Sequence, residues 1–466
     1  MQRLSFDDCR LNFLKARQDE NWGALIDWSN ELIQYHDSLH YVWANRGIAL
    51  AKLKQPIDAI LSYDKALSCN PESFERSALL VNKGAAYYDL YQFEYSQLSL
   101  EDSIKLHPHP QAYLTLGNIY KFKGMFETAI EQYRKGMDID SSYADIHLVL
   151  AQALLKSGQL REGWAEFEWR WRTDQLPPRN LPVPLWYGED LADKHILVYG
   201  EQGLGDIIQF SRYANLLKRK YPSAKITMEV RPQLKRLMET LNSSIKVINL
   251  GEKLPSDLNY GIAMVSLAGR FTPSIDQIPP ASDEFKLDEA DVERWKKSFD
   301  DAKRPGLRIS LCWAGMARDH QPDANAIDRQ RSAAFSDFSP LGLEGIFWVS
   351  LQKGVPAEQI RKPPRGFMIG DFTEDMYDFY ETCCAIKNLD LVITVDTAVV
   401  HAAASVGVPT WLLRRWDGCW RWFGDRADSP WYPTLRQFVQ KRPQDWTGVM
   451  AEVKQELQKL LMDSTR

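Results

Sequence analysis

A glycine-rich turn that ends in an aspartate lies within the segment HILVYGEQGLGDIIQFSRYANLL, residues 195–217. Gly200, Gly203 and Gly205 remove three side chains, so a ligand can approach the backbone there. Asp206 follows in the first turn of a predicted helix, at the carboxyl end of the strand, where open α/β sheets bind ligands. Aspartate is also a preferred helix-capping residue. The sequence leaves both interpretations of Asp206 open.

The glycine spacing excludes two common nucleotide-binding motifs. The pattern here is G-x-x-G-x-G-D, whereas the dinucleotide-binding motif requires G-x-G-x-x-G. A P-loop requires lysine and then serine or threonine after its last glycine, and this chain has Asp206 and Ile207 there. Neither motif therefore explains the turn.

A second candidate binding segment follows the apolar run at 390–395. Asp396 and Thr397 lie where a helix of small residues begins, and the free backbone amides of a helix start suit a phosphate or diphosphate. Thr397 adds a hydroxyl donor. His401 lies one helical turn further along, on the same side. A buried imidazole bonded to the backbone is the favoured interpretation of His401 taken alone.

Further candidates for ligand binding follow two other predicted strands. Trp313 and Gly315 form the turn after the first of these strands, and the polar loop 316–332 comes next. The loop contains Arg318, Arg329 and Arg331. Guanidinium groups can bind phosphate through two parallel N–H donors. The alternative is a solvated basic loop without a ligand, which would have the same composition. Gln352 and Lys353 end the next strand, again at a carboxyl edge.

Four tryptophans stand among charged residues in the segment 414–433. Aromatic rings beside hydrogen-bonding groups suit the stacking of a sugar or a base, and on this ground Trp420 is a candidate donor-binding residue. Packing between domains accounts for the same cluster equally well.

Strand-length apolar runs that alternate with helical patterns predict the elements that carry these candidates. The runs lie at 196–199, 225–230, 245–250, 307–315, 346–354, 390–396 and 408–413. Such alternation predicts parallel sheets with right-handed crossovers, which bind ligands at the carboxyl ends of their strands. A basic break at 303–305 indicates two Rossmann-like domains, 191–303 and 304–466, with a ligand cleft between them. The last helix, 446–461, is expected to cross back over the first domain.

The first third of the chain is repetitive. One small-residue position recurs at Gly47, Gly84, Gly117 and Ala151. The spacing of about 34 residues resembles the tetratricopeptide repeat, in which small residues let antiparallel helices approach. The resemblance covers 40–173, and 8–36 looks like a degenerate first repeat, so a repeat array is predicted over 1–173. Its concave surface would bind a protein, or the array would only support its neighbour or mediate self-association.

Composition bears on the partners, metal sites, disulfides and membrane segments that this chain is expected to have. The 466 residues carry a net charge of −5, which gives no argument for a nucleic acid partner. Six cysteines without a C-x-x-C pair indicate neither a zinc site nor a disulfide framework. The N-terminus has no apolar signal core and no stretch reads as a membrane span, so a cytoplasmic protein is expected. Four prolines in 172–190 predict an extended linker at 174–190.

The α/β region resembles a bacterial group in which tetratricopeptide repeats precede a glycosyltransferase domain akin to the family 9 heptosyltransferases. The matching phrases are GEQGLGDIIQFSRY, the WAG turn, SLQKG, DLVITVDTAVVHAAASVGVPTWLL and WRWFGDRADSPWYP, in order over most of 195–440. The resemblance implies a GT-B fold, with 191–303 on the acceptor side and 304–466 on the nucleotide-sugar side. The predicted fold class is therefore α + α/β, an N-terminal tetratricopeptide α-solenoid followed by two Rossmann-like α/β domains.

The resemblance also implies roles for individual residues. The acid of the glycine turn is the proposed general base of that family, which assigns Asp206 to catalysis with Gly203 and Gly205 beside the donor. The Asp-Thr helix start contacts the donor diphosphate, which assigns Asp396 and Thr397. The family usually has glycine where this chain has Ala398, and a lysine where this chain offers only arginines, so heptose is not implied as the sugar.

The function implied is an inverting glycosyltransferase that needs no metal and no cofactor beyond its nucleotide-sugar donor. Its acceptor is a protein held by the repeat array, such as a flagellin-like surface protein, or else a lipid-linked or polysaccharide acceptor. A third reading is a non-catalytic adaptor with a degenerate transferase domain, against which the retained Asp206, Asp396 and Thr397 argue. The expected partners are thus a nucleotide sugar and a protein, with no nucleic acid.

Overall fold

The computed structural model describes residues 4–174, 176, 178–279, 281, 284–316, 328–424 and 426–464. The chain divides into two compact units, one of Met1–Ser157 with Glu166–Pro177 and the other of Gly158–Ala165 with Pro178–Arg466. In the ranges that the structure describes, no helix has both the length and the apolar character needed to cross a membrane.

The first unit is an array of paired helices. They are α1 (Phe6–Gln18), α2 (Trp22–Tyr35), α3 (His40–Lys52), α4 (Pro56–Ser68), α5 (Ser73–Asp89), α6 (Phe93–Leu106), α7 (Pro110–Phe122), α8 (Phe126–Ile139) and α9 (Ala144–Lys156). The helix α10 (Leu160–Phe167) follows, and the division between the two units falls within it. The small residues of the repeat lie where each pair closes: a Cβ on Gly47 would lie 2.5 Å from the Tyr63 ring. The predicted α-solenoid is confirmed.

The second unit begins with a four-stranded parallel sheet. Its strands are β1 (His195–Tyr199), β2 (Lys225–Val230), β3 (Ile245–Asn249) and β4 (Tyr260–Ala263), in the order β3-β2-β1-β4. The helices α11 (Leu204–Phe210), α12 (Arg212–Lys220), α13 (Lys235–Glu239) and α14 (Met264–Phe271) accompany it. All five residues of β1 are buried, as expected for a central parallel strand.

The proline-rich linker is bound to the edge of this sheet. The backbone amide of Gly261 donates to the Pro184 carbonyl at 3.0 Å, and the Trp186 amide donates to the Gly261 carbonyl at 2.9 Å. Arg179 pairs with the fully buried carboxylate of Glu229 on β2, with Nη2 3.0 Å from Oε1. The linker therefore protects the open edge of β4.

A second, six-stranded parallel sheet completes this unit. Its strands are β5 (Leu307–Cys312), β6 (Ile346–Ser350), β7 (Ile369–Asp371), β8 (Leu391–Val395), β9 (Thr410–Arg414) and β10 (Leu435–Val439), in the order β10-β9-β8-β5-β6-β7. The helices are α15 (Glu289–Asp301), α16 (Phe379–Ile386), α17 (Ala398–Ser405) and α18 (Trp446–Ser464). With two parallel Rossmann-like sheets after the solenoid, the predicted α + α/β fold class of GT-B type is confirmed.

Two expectations about these elements were wrong. The last helix, α18, does not cross back over the first sheet, because its buried residues Val449, Met450 and Val453 belong to the core of the second sheet. The strands β4, β7 and β10 were not predicted. The strand β7 has only three residues, and β4 reads YGIA with a glycine, so neither carries a clear strand pattern.

Candidate functional site

Asp206 lies in the first turn of α11 and has a partner on each carboxylate oxygen. Its Oδ2 accepts a hydrogen bond from the backbone N–H of Gly203 at 2.8 Å, which caps the helix. Its Oδ1 forms an ion pair with Arg421, which belongs to the loop after β9. Asp206 therefore does cap its own helix, and it also faces a cation from the second sheet's domain.

Arg421 is the functional candidate that the sequence analysis missed. Its guanidinium is only 9% exposed, donates to Gln202 Oε1 at 2.9 Å and lies over the Trp420 ring at 4.3 Å. Burial by itself lowers the pKa of Arg421, but the charge of Asp206, together with smaller contributions from Cys419 and Asp396, outweighs burial and raises the pKa above its usual value. The only sequence signal is an arginine between two tryptophans, in a segment for which the sequence leaves an aromatic platform and packing between domains equally open.

Thr397 caps the helix α17, as its position predicts. Its Oγ1 accepts from the Val399 amide at 3.3 Å and lies 3.7 Å from the Cys312 sulfur. Arg331 donates to the backbone carbonyl of Asp396 at 2.8 Å and forms an ion pair with Asp328. Arg331 therefore fixes the turn that leads into α17.

The glycine turn and α17 touch each other. A Cβ built on Gly205 would lie 2.6 Å from Cδ2 of His401 and 3.3 Å from the Cα of Ala398. Only a residue without a side chain permits this approach without displacing a neighbour. The structure thus brings Gly203, Gly205 and Asp206 next to the start of α17, although they come from different sheets.

His401 is a buried neutral imidazole. It is 4% exposed, its Nδ1 lies 2.9 Å from the Tyr432 hydroxyl, and its ring stacks on Trp422. Burial lowers the pKa of His401 well below the ordinary value, and the charges of Arg421, Arg212 and Arg331 lower it further. The histidine is buried, as the favoured interpretation expects, but the hydrogen-bond partner of its Nδ1 is a tyrosine hydroxyl and not the backbone.

The side chains of three predicted donor-site residues have partners within the protein, and their contact with a ligand stays a prediction. The Trp313 ring is fully buried and stacks on Phe335 at 4.5 Å. Gln352 accepts from the backbone amides of Trp313 and Ala314 at 3.0 and 2.8 Å, so it braces the turn between them. Lys353 donates to two carbonyls of the loop at 373–376 instead.

The remaining candidates have distinct placements. A Cβ on Gly315 would lie 2.7 Å from Nη2 of Arg331, so this glycine makes room for the arginine. Arg329 is exposed, and Arg318 lies outside the described residues. The Trp420 ring packs against Trp164 at 5.3 Å and is 7% exposed. Of the two interpretations of Trp420, packing describes its placement, because other side chains already cover the faces of its ring.

Replacement of Gly205 by valine is expected to destabilise the second unit. The added side chain would push His401 and the backbone of Ala398 away from residue 205. Overpacking of this kind costs about 1–3 kcal/mol. Denaturant unfolding measures the loss. Gly424→Val is the control, because a Cβ there meets no described atom within 4 Å, and its effect should stay within about 0.5 kcal/mol. Equal stability of the two variants would contradict the contact.

Known proteins resemble this chain in both of its regions. Protein FlbA of Caulobacter vibrioides is 26% identical over 445 residues, covering 88% of this chain and 71% of that protein. The crystal structure of the glycosyl transferase family 9 protein from Veillonella parvula has a TM-score of 0.44 at 13% identity, covering 59% of this chain and 99% of that chain. The crystal structure of the MamA protein has a TM-score of 0.31 at 18% identity, covering 38% of this chain and 98% of that chain. A family model described as TPR repeat matches residues 110–158, which establishes tetratricopeptide repeats in the first unit.

Proposed function

We propose that this protein is an inverting, metal-independent glycosyltransferase that moves a sugar from a nucleotide-sugar donor to a protein held by the tetratricopeptide array. The observation that carries the proposal is the contact of the Asp206 turn with the start of α17. A carboxylate and a positive helix start are the two groups that this transfer needs within reach of one substrate. Each comes from a different sheet, so the domains together form the site.

The donor phosphate is assigned to the start of α17. Thr397 offers its hydroxyl and the helix start offers the positive end of its dipole, while Arg331 holds the preceding carbonyl of Asp396. Besides burial, the charges of Arg421, Arg212 and Arg331 lower the pKa of His401, which is in keeping with cationic groups near this helix start. Gly205 allows the facing turn to pack against this helix start.

Asp206 is assigned to the proton transfer. The acceptor hydroxyl attacks the anomeric carbon from the face opposite the leaving phosphate, and the carboxylate takes its proton. The configuration at that carbon is inverted as a result. The negative charge that develops on the leaving phosphate is stabilised by the helix start and the arginines, so no metal ion is required.

The acceptor is assigned to the solenoid. The repeats of the first unit are of a type that binds proteins along an extended surface, which supports a protein acceptor over a glycolipid. Incubation of the full chain with nucleotide sugars and either protein or lipid-linked acceptors, followed by mass spectrometry, tests the choice. Transfer to the glycolipid alone would overturn the protein acceptor. Binding without transfer to any acceptor would favour the adaptor.

Thr397→Ala is expected to weaken nucleotide binding by about 10- to 100-fold, since one hydrogen bond to a charged group contributes about 1.5–3 kcal/mol. Isothermal titration calorimetry with a panel of nucleotides measures the dissociation constant. Thr397→Ser keeps the hydroxyl and is the matched control, with a constant close to that of the wild type. An unchanged constant for the alanine variant would place the phosphate elsewhere.

A further inference from the structure

The ion pair between Arg421 and Asp206 blocks the candidate base in the state that the structure describes. Oδ2 of Asp206 accepts from the Gly203 amide at 2.8 Å, and Oδ1 faces the guanidinium. A base must have an oxygen within hydrogen-bond reach of the proton that it takes. The cap on Oδ2 belongs to the helix itself, so only the contact with Arg421 can be exchanged.

Arg421 itself is incompletely satisfied. Its Nη atoms contact Gln202, Cys419 and Asp206, but its Nε is buried and has no hydrogen-bond partner among the described residues. A buried donor without an acceptor is unfavourable and calls for an explanation, and an ion that is absent from the structure is one such explanation. A planar guanidinium with an unused donor is suited to a phosphate.

We propose that the phosphate of the nucleotide donor displaces Asp206 from Arg421, so that Arg421 holds the phosphate and the freed Oδ1 accepts the proton of the acceptor hydroxyl. This inference rests on the proposed function and adds a coupling between donor binding and the acceptance of the proton by Asp206. Arg421 is a positioning residue for the base and a binding residue for the donor. The carboxylate becomes available only after the donor has bound.

The step balances in atoms and charge. The acceptor oxygen forms a bond to the anomeric carbon while the bond from that carbon to the phosphate oxygen breaks. The electron pair of the broken bond leaves with the nucleotide phosphate, and the acceptor proton passes to Oδ1 of Asp206. Arg421 then faces the phosphate, where negative charge grows, rather than Asp206, where it disappears.

A double-mutant cycle on nucleotide affinity tests the coupling. The probes are UDP, GDP, ADP, CDP and CMP, titrated calorimetrically into the full chain. Asp206→Asn keeps an oxygen for the Gly203 amide but removes the competitor for Arg421, so it should tighten nucleotide binding on the order of tenfold. Arg421→Gln should weaken binding, and adding Asp206→Asn to it should then have no effect.

The outcomes separate the inference from the proposed function. The coupling is wrong if Asp206→Asn leaves the nucleotide affinity unchanged. It is also wrong if Asp206→Asn raises the affinity by the same factor in the wild type and in the Arg421→Gln variant. In both cases the binding of nucleotide itself stands. If no probe binds the wild type, the donor site of the proposed function fails first. Arg426→Gln is the control on the same loop and should match the wild type. Arg421→Lys replaces the glutamine variant if that variant does not fold, and it should reduce the coupling.

Discussion

Asp206→Asn lowers the turnover of sugar transfer by about two to four orders of magnitude, the usual contribution of a general base. Asparagine is nearly the same size and still accepts the hydrogen bond from Gly203, so the helix start is expected to persist. It cannot take a proton from the acceptor hydroxyl. The measurement is the rate of product formation with saturating nucleotide sugar, followed by mass spectrometry.

The design of this experiment separates catalysis from binding and folding. Nucleotide affinity should be at least that of the wild type, because Arg421 loses its charged competitor. Asp428→Asn is the matched control: this aspartate is 70% exposed and pairs with Arg426 in the same loop, so its loss should leave turnover unchanged. Retained turnover in the Asp206 variant would remove this residue from the role of base.

Glu381→Ala is expected to destabilise the second unit by about 3 kcal/mol, because a buried acceptor is lost from several donors at once. Glu381 on α16 is 2% exposed and accepts from Trp295 at 2.8 Å, from Tyr377 at 3.0 Å and from Arg236 at 3.2 Å. Arg236 belongs to α13 beside the first sheet, so this cluster joins the two α/β domains at a second place. Denaturant unfolding at neutral pH measures the loss.

The same residue predicts a dependence of stability on acid. Burial by itself raises the pKa of Glu381, but hydrogen bonds from Arg294, Trp295, Tyr377 and Arg236 outweigh it and lower the pKa to about 2 from 4.5. A lowered pKa in the folded state stabilises the protein above pH 4.5, and this stabilisation is lost as the pH falls towards 2. The difference corresponds to about 3 kcal/mol.

Unfolding curves between pH 5 and 3 check this sign. The wild type should lose stability faster than Glu381→Gln, whose side chain does not titrate. Glu452→Gln is the control, because Glu452 is 43% exposed in its ion pair with Lys441, and an exposed pair contributes at most about 1 kcal/mol. Parallel acid profiles for the wild type and Glu381→Gln would show that Glu381 is not the residue responsible.

Local patterns in the sequence were sufficient to predict the main elements. The recurrence of Gly47, Gly84 and Gly117 predicted the paired helices, because close helix packing needs small residues at a fixed spacing. The apolar run before Asp396 predicted the central strand β8, and Thr397 was correctly placed at the start of α17. These features depend on neighbours along the chain.

The tryptophans show where such reasoning ends. A ring that stacks on a sugar and a ring that packs against another ring have the same sequence signal. The structure covers Trp420 with Trp164 and Phe210, which come from distant parts of the chain. Gln352 likewise occupied the predicted strand end, but its amide turned inward to the backbone of Trp313 and Ala314.

The sequence by itself determined the solenoid, the two parallel sheets and the residues at their strand ends, since the period of apolar residues and the position of glycines act over a few residues. Only the tertiary structure decided that Gly205 touches α17 and that Asp206 faces Arg421. That pairing depends on how two separately formed sheets meet, and no local pattern encodes the distance between groups so far apart along the chain.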